Sequence, residues 1–503
     1  MTVAPQEAAG RSPADADYFD VIIIGAGISG LGAAYRITER NPHLTYTILE
    51  RRERIGGTWD LFRYPGVRSD SSMFVLAFPW EPWTRKEGIA DAEHIREYLT
   101  ATAHKYGIDR HTQFNSYVRS ADWDSVTDTW TVTVEHDGVH RLYRSRFLFF
   151  AGGYYNYDEG YTPDFPGIEQ FGGAVVHPQH WPEDLDYTGK NVVVVGSGAT
   201  AVTLLPSMSE RAGKVTMLQR SPTYLISSPK YGKVAAVLRT LLPRRASHLV
   251  VRMYNAVLES VFIFWCGKQP GLVKSLLRRK AIKRLPDGYD VDTHFNPRDN
   301  PWDQRMCLIP DADLYKAIAA GRADVVTDRI DHFDATGIAL ESGAHLDADI
   351  IVTATGLQLQ ALGGAAISLD GTEIKIPNRF VYKAHMLEDV PNLFWCVGYT
   401  KASWTLRADM TARAAAKLLA HMSTHGYTHA SPHRGNEPMS EKPSWDIQAG
   451  YVKRSAHLLP KSGTKRPWNV RQHFFADAID YRFDRVEEAM VFGRAGDRAS
   501  LPG

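Results

Sequence analysis

Phe19-Asp20-Val21-Ile22-Ile23-Ile24-Gly25-Ala26-Gly27-Ile28-Ser29-Gly30 decides the fold of this chain. Its first half is a β-branched apolar run without polar alternation, the pattern of a strand buried on both faces of a parallel sheet. Its second half is G-x-G-x-x-G, and a helical pattern (Leu31-Gly32-Ala33-Ala34-Tyr35-Arg36) follows. Gly25 permits the tight turn, Gly27 lets a pyrophosphate approach the backbone, and Gly30 lets helix and strand pack closely. The amides of the helix N-terminus then face the phosphates with partial positive charge. A second strand, Thr45 to Leu49, ends at Glu50, where an acid accepts hydrogen bonds from ribose hydroxyls. The glycine motif alone is weak evidence. Strand, loop, helix, strand and acid in that order predict a dinucleotide site.

The same grammar recurs. Lys190-Asn191-Val192-Val193-Val194-Val195 runs into Gly196-Ser197-Gly198-Ala199-Thr200-Ala201, and Val202-Thr203-Leu204-Leu205 continues as helix. Alanine stands at the third glycine position, which the motif tolerates. The next strand, Val215-Thr216-Met217-Leu218, ends in Gln219-Arg220-Ser221 instead of an acid. An arginine and a hydroxyl there can hold a 2′-phosphate that an acid would repel. The first site therefore suits FAD and the second NADPH, which implies electron transfer from nicotinamide to flavin. The predicted fold class is α/β, with two Rossmann-like dinucleotide-binding domains.

Composition narrows the class further. The chain has 503 residues, 44% of them hydrophobic and 23% charged, with a formal net charge of +1. That balance suits a multidomain globular protein and gives no reason to expect a nucleic-acid partner. Cys266, Cys307 and Cys396 lie far apart. No redox pair, metal cluster or disulfide framework can be built from that spacing, so no metal is expected and a disulfide reductase is excluded. Three reduced core thiols fit a cytoplasmic enzyme. Residues 1–18 lack the basic start and apolar run of a signal peptide and read as a flexible tail. No stretch approaches 18 uninterrupted apolar residues, so no membrane-spanning helix is expected.

What the reduced flavin does is decided between and around the two loops. Phe171-Gly172-Gly173-Ala174-Val175-Val176-His177-Pro178-Gln179-His180-Trp181-Pro182 fits F-x-G-x-x-x-H-x-x-x-W-P at every fixed position. Gly56-Gly57-Thr58-Trp59-Asp60-Leu61-Phe62-Arg63-Tyr64-Pro65-Gly66-Val67-Arg68-Ser69-Asp70 fits (A/G)-G-x-W-x-x-x-x-(F/Y)-P-(G/M)-x-x-x-D, again completely. On these residues the chain resembles the Baeyer–Villiger monooxygenases, the class B flavoprotein monooxygenases, and within them the ethionamide-activating branch. Gly153-Tyr154-Tyr155, Trp302-Asp303-Gln304-Arg305 and Ala402-Ser403-Trp404-Thr405 extend the likeness, which covers nearly everything from Phe19 to about Phe475.

The resemblance implies an NADPH- and O₂-dependent enzyme that forms a flavin C4a-peroxide. It would insert one oxygen into ketones, giving esters, and oxidise sulfides or thioamides. An S- or N-oxygenating flavin monooxygenase without Baeyer–Villiger activity is the alternative. The family's active-site arginine falls on Arg305, with Asp70 as the acid that orients it. A guanidinium keeps its proton and can hold an anionic oxygen adduct. By the same resemblance FAD touches Gly25, Gly27, Ser29, Gly30, Glu50, Thr58, Trp59, Asp60, Leu61, Asp70 and Val118. NADPH touches Arg68, Ser69, Gly196, Ser197, Gly198, Ala199, Thr200, Ala201, Val202, Arg220 and Ser221. His177 reads as a lock on the linker between the domains, not as a base. Where many ketone oxidisers of the family carry a lysine, this chain has Gln304, so NADPH preference rests more on Arg220.

The implied organisation is a discontinuous FAD-binding domain (19–155 and 385–503) around an NADP-binding domain (156–384). Ile350 to Gly356 reads as the strand and turn that return the chain to the first domain. A helical insert at about 225–295 is strongly basic. From Lys230 to Arg284 there are 13 Lys and Arg against one acid, Glu259. Two readings stand side by side: a cover over the substrate cleft with a solvated basic face, which is preferred, and an amphipathic surface for anionic lipid. The expected location is the cytoplasm, at the membrane periphery under the second reading.

Overall fold

The computed structural model describes residues 16–445 and 447–496. Most of the expected tail therefore lies outside the described residues. Its last two positions, Asp17 and Tyr18, already belong to the first strand, β1 (Asp17–Ile24). The chain turns at Gly25 into α1 (Ile28–Arg40) and returns as β2 (Tyr46–Leu49), parallel to β1 with Ile23 opposite Ile48. Three helices follow: α2 (Thr58–Leu61), α3 (Met73–Leu76) and α4 (Ala92–Lys105). The short β3 (Thr112–Gln113) extends the sheet beside β2. An antiparallel meander, β4 (Ser116–Asp124), β5 (Thr129–His136) and β6 (Val139–Phe150), brings β6 back alongside β1 in parallel.

The chain then leaves through β7 (Tyr155–Gly160) and builds a second sheet from β8 (Ala174–Val176) and β9 (Asn191–Val195). Next come α5 (Ala199–Met208), β10 (Lys214–Gln219) and β11 (Leu225–Ser228). After β11, which occupies the first positions of the expected insert, the segment is helical: α6 (Lys233–Leu241), α7 (Arg244–Lys268), α8 (Pro270–Ile282) and α9 (Val291–Phe295). β12 (Cys307–Pro310) closes it by pairing with β11. After α10 (Asp313–Ala319), β13 (Ala323–Thr327) joins the second sheet at its edge. A small antiparallel meander precedes β17: β14 (Ile330–Phe333), β15 (Gly337–Leu340) and β16 (His345–Asp347). With β17 (Ile350–Thr353) the second sheet is a parallel five-stranded layer in the order β13-β10-β9-β17-β8.

β17 is thus a core strand of the second sheet, and the return expected at that point comes one strand later. β18 (Leu357–Leu359) runs antiparallel to β7, so the outgoing and returning connections lie side by side between the sheets. β19 (Ala366–Leu369) is then parallel to β4, and β20 (Thr372–Glu373) pairs with it. β21 (Val381–Tyr382), β22 (Met386–Leu387) and β23 (Leu393–Trp395) continue the first sheet to β6, and α11 (Trp404–His425) packs against it. The chain re-enters the first sheet at Ala366, ahead of the expected boundary at 385. A short strand with a turn at Asp370 and Gly371 carries too little apolar periodicity to be assigned to a sheet from sequence.

Burial follows the two-residue period of the strands. Val21 and Ile23 face one core of the first sheet and Ile22 and Ile24 the other. Val192 and Val194 face one core of the second sheet and Val193 and Val195 the other. Both leading strands are apolar on both faces, the reason their sequences show no alternation.

Candidate functional site

Each sheet delivers a glycine turn to the same opening. At Gly25 φ is +102°, and a Cβ there would stand 2.8 Å from the carbonyl oxygen of Ala151. Only glycine meets both conditions. The following helix has no side-chain cap at Gly27, so its first amides remain available to an anion. Glu50 sits at the end of β2, 3% exposed. Its Oε2 accepts from the Ala26 amide at 2.6 Å and its Oε1 from the Arg52 amide at 2.9 Å. Burial pushes this carboxyl up, and the two amides work in the opposite direction. A carboxylate has about four acceptor positions, so two amides leave capacity for ribose hydroxyls.

The second turn repeats this geometry at Gly196, with φ +135° and a Cβ position 2.3 Å from the Ala354 carbonyl oxygen. Gly198 is the N-cap of α5, again without a side-chain cap hydrogen bond, and nothing lies within 4 Å of where a Gly198 Cβ would be. Ser197 Oγ donates to the Ser221 carbonyl at 3.0 Å, which ties the loop to the end of β10. Arg220 is exposed at that strand end. Two open glycine cradles under two uncapped helix starts fit two pyrophosphates.

Between the turns lies Arg305. Its Nη1 donates to Asp70 Oδ2 at 3.1 Å. Desolvation in the cleft pulls the guanidinium pKa down. The surrounding oxygens of Tyr154, Tyr451, Asp70 and Tyr155 more than offset that, so the cation is held well above its ordinary value. Tyr154 and Tyr155 share a hydroxyl–hydroxyl bond of 2.7 Å. The Tyr154 ring stacks on Trp404, with centroids 5.2 Å apart, and the Trp404 Nε1 donates to Ser29 Oγ at 2.7 Å. A fixed cation and an aromatic wall therefore meet the first glycine loop from above. Glu259, the lone acid of the insert, comes down from α7 into the same space. Burial chiefly raises its pKa to about 7, opposed by the Ser403 amide and assisted by Asp70.

All of this lines one continuous cavity of about 1160 Å³. Gly25, Gly27, Ser29, Glu50, Thr58, Trp59, Val118, Arg68, Ser69 and Asp70 reach it from the first sheet's side. Gly196, Ser197, Gly198, Ala199, Thr200, Arg220, Ser221 and Arg305 reach it from the second. Five expected contacts stand behind its wall instead. Gly30 is packed under the first turn, where a Cβ would lie 1.9 Å from the Gly25 carbonyl oxygen. Leu61, Ala201 and Val202 are core. Asp60 is 1% exposed and is held by Arg52 at 2.8 Å and Arg63 at 2.5 Å, so it braces α2.

His177 also lines the cavity, at the crossing between the sheets. Its Nδ1 accepts from the Gln179 amide at 3.2 Å, and burial lowers its pKa. A Cβ on Gly160, at the end of β7, would stand 2.0 Å from its ring. The imidazole is wedged against the connecting strand. Residues that sequence reasoning missed are Tyr451, Glu259 and Arg329, all on the cavity wall. Arg329 carried a usable signal, since it lies just past a strand that ends beside Arg220. Tyr451 stands in a short helix, Gly450–Ser455, with no motif around it, and had none.

The architecture defines a two-dinucleotide flavoprotein with a cationic centre between its nucleotide loops. The chain belongs to the FMO-like, flavin-binding monooxygenase-like family, which it matches over residues 19–369. It is 47% identical over 473 residues to the FAD-containing monooxygenase EthA of Mycobacterium tuberculosis strain H37Rv, covering 94% of this chain and 97% of that protein. EthA of Mycolicibacterium smegmatis is likewise 47% identical, over 94% of this chain and 96% of that protein. Solved structures agree in fold. A steroid monooxygenase bound to NADP superposes with a TM-score of 0.73 at 22% identity, over 95% of this chain and all of that one. OTEMO in complex with FAD and NADP gives 0.74 at 19%, with the same coverage.

Proposed function

We propose that this monooxygenase uses NADPH, FAD and O₂ to insert one oxygen atom into small ketones, giving esters, and to oxidise sulfides or thioamides. The reading is supported by the two complete fingerprints and by one observation above the rest. The Asp70–Arg305 pair stands at the seam where both glycine loops open into one cavity. FAD fits the first cradle and the nicotinamide dinucleotide the second. Bound there, they supply electrons and activate dioxygen.

The chain's own residues do the remainder. The two helix starts hold the pyrophosphates, and Glu50 takes the FAD ribose. Trp59, Tyr154 and Trp404 exclude water from the reacting centre. Arg305 supplies a fixed positive charge for an oxygen anion and for the negative oxygen of a ketone addition intermediate. Asp70 orients that guanidinium.

Product analysis tests this. A simple methyl ketone and a thioether are offered with NADPH and air. Ester from the ketone and sulfoxide from the thioether are expected. Sulfoxide without ester selects the S- or N-oxygenating reading. NADPH consumption that ends wholly in hydrogen peroxide overturns the proposal.

A further inference from the structure

The insert presents a surface that the reaction does not use. Among the described residues 23 large hydrophobic side chains remain exposed, and 16 of them lie between Tyr231 and Ile282. The patch is therefore local, and it centres on α7. Leu249, Met253, Val257 and Val261 form one row at four-residue spacing, continued by Phe264 and Trp265, each 41–58% exposed. No charged residue interrupts that outward face between Ala246 and Gly267. An exposed apolar area of this extent marks an interaction site, not a solvated helix.

The opposite face of α7 is fixed to the body of the enzyme. Arg252 donates to the carbonyls of Val75 and Ala77, and His248 bonds the Phe78 carbonyl at 2.9 Å. α7 is the one helix among the described residues long and apolar enough to cross a membrane. Those buried anchors hold it flat on the surface instead. The exposed charges of α6 to α8 themselves are all cations, although Arg244 approaches Glu81 at 3.9 Å and Arg278 pairs with Asp292 at 2.6 Å. Arg244 and Arg245 are exposed at the start of α7 and Lys268 at its end. On α8 the exposed row runs from Leu272 and Leu276 into Lys280 and Lys283. The only acid of these three helices, Glu259, points the other way, into the cavity.

We infer that the outer face of α6–α8 docks on an anionic lipid bilayer, its apolar rows entering the interface and its basic rim meeting lipid phosphates. An uncharged apolar strip bracketed by exposed cations is the chemistry of an interfacial helix. A soluble protein partner with a neutral contact surface would leave that rim uncompensated. α7 serves both sides, since the docked helix also carries Glu259 into the cavity.

Co-sedimentation of the full-length, FAD-loaded enzyme with vesicles tests this, with a readout independent of turnover. Vesicles of phosphatidylcholine alone are compared with vesicles containing phosphatidylglycerol. Binding to the anionic vesicles is expected, weakened by high salt. The triple variant Val257→Gln/Val261→Gln/Phe264→Gln should lose binding by about tenfold or more, with an unchanged melting temperature. Lys280→Glu/Lys283→Glu should lose it by a similar factor. Val126→Gln/Val139→Gln, exposed apolar positions elsewhere, should bind as the native enzyme does. Absence of native binding to anionic vesicles at low salt overturns the inference. So does a concentration-dependent dimer that the triple variant abolishes while vesicle binding stays as it was.

Discussion

At the scale of single residues the reacting centre rests on Arg305, which pairs with Asp70, with Glu259 on the same cavity wall. Arg305 carries the charge the chemistry needs, so Arg305→Ala should still accept electrons from NADPH but lose oxygenated product. Loss of one such contact is worth about 3–4 kcal/mol, or 10²–10³ in turnover. Equal product yield would remove Arg305 from that role. Glu259 is the subtler group. Its carboxyl is raised from 4.5 to about 7, chiefly by burial. Between those two values the folded state holds a proton that the unfolded chain has released. The group therefore favours folding below 4.5, and that contribution is lost as pH rises through 7. Glu259→Gln should flatten the pH dependence of the melting temperature in this window and melt higher than the native enzyme above pH 7. A native-like pH curve for the variant would place Glu259 in water instead.

At the scale of elements α7 is anchored by His248, by buried apolar residues such as Val251, and by one buried cation, Arg252. Desolvation chiefly lowers the Arg252 pKa, to about 10, and Asp409 and Tyr98 oppose that loss. Its guanidinium satisfies two carbonyls of the α3 turn, and an unpaired buried carbonyl costs about 1–3 kcal/mol. Arg252→Met should lower stability by about 2–5 kcal/mol and expose residues 244–268 to protease before the rest of the chain unfolds. Uniform proteolysis across the chain would show that α7 is held by other contacts. The strands that lead into both glycine loops were legible because they are apolar on both faces and end in a turn only glycine can make. The helical insert was legible from spacing and charge. Its outward face was not, because Val251 and Val257 read alike in sequence. Only packing against α3 shows that the first is buried and the second exposed. Asp60 misled for a related reason. A carboxylate inside a cofactor fingerprint reads as a ligand contact until Arg52 and Arg63 are seen to close around it.

At the scale of the whole molecule the two sheets share one cavity, and the sequence placed the loops that frame it but not every residue between them. The chain crosses between sheets twice, at β7 and β18, and those crossings pair with one another. That pairing depends on residues about 200 positions apart, beyond the reach of local pattern, and so the returning strand was placed one strand too early and the domain boundary, at 385, too late. The same long-range assembly sets a second cation on the cavity wall, Arg329, which the Glu341 carboxylate approaches at 4.0 Å. Gln219 and Thr327 are paired in register at the ends of β10 and β13. Arg220 and Arg329 follow those ends, and both line the cavity. A 2′-phosphate held there gains from both charges, while NADH gains from neither. Arg220→Ala should therefore lower kcat/KM for NADPH by about 10- to 100-fold and leave that for NADH nearly unchanged. Some preference should survive in the single variant because Arg329 remains. Arg220→Ala/Arg329→Ala should bring the NADPH-to-NADH ratio close to unity. If the ratio in Arg220→Ala equals that of the native enzyme, the strand-end arginine faces solvent, and cofactor choice lies with Arg68 and its neighbours.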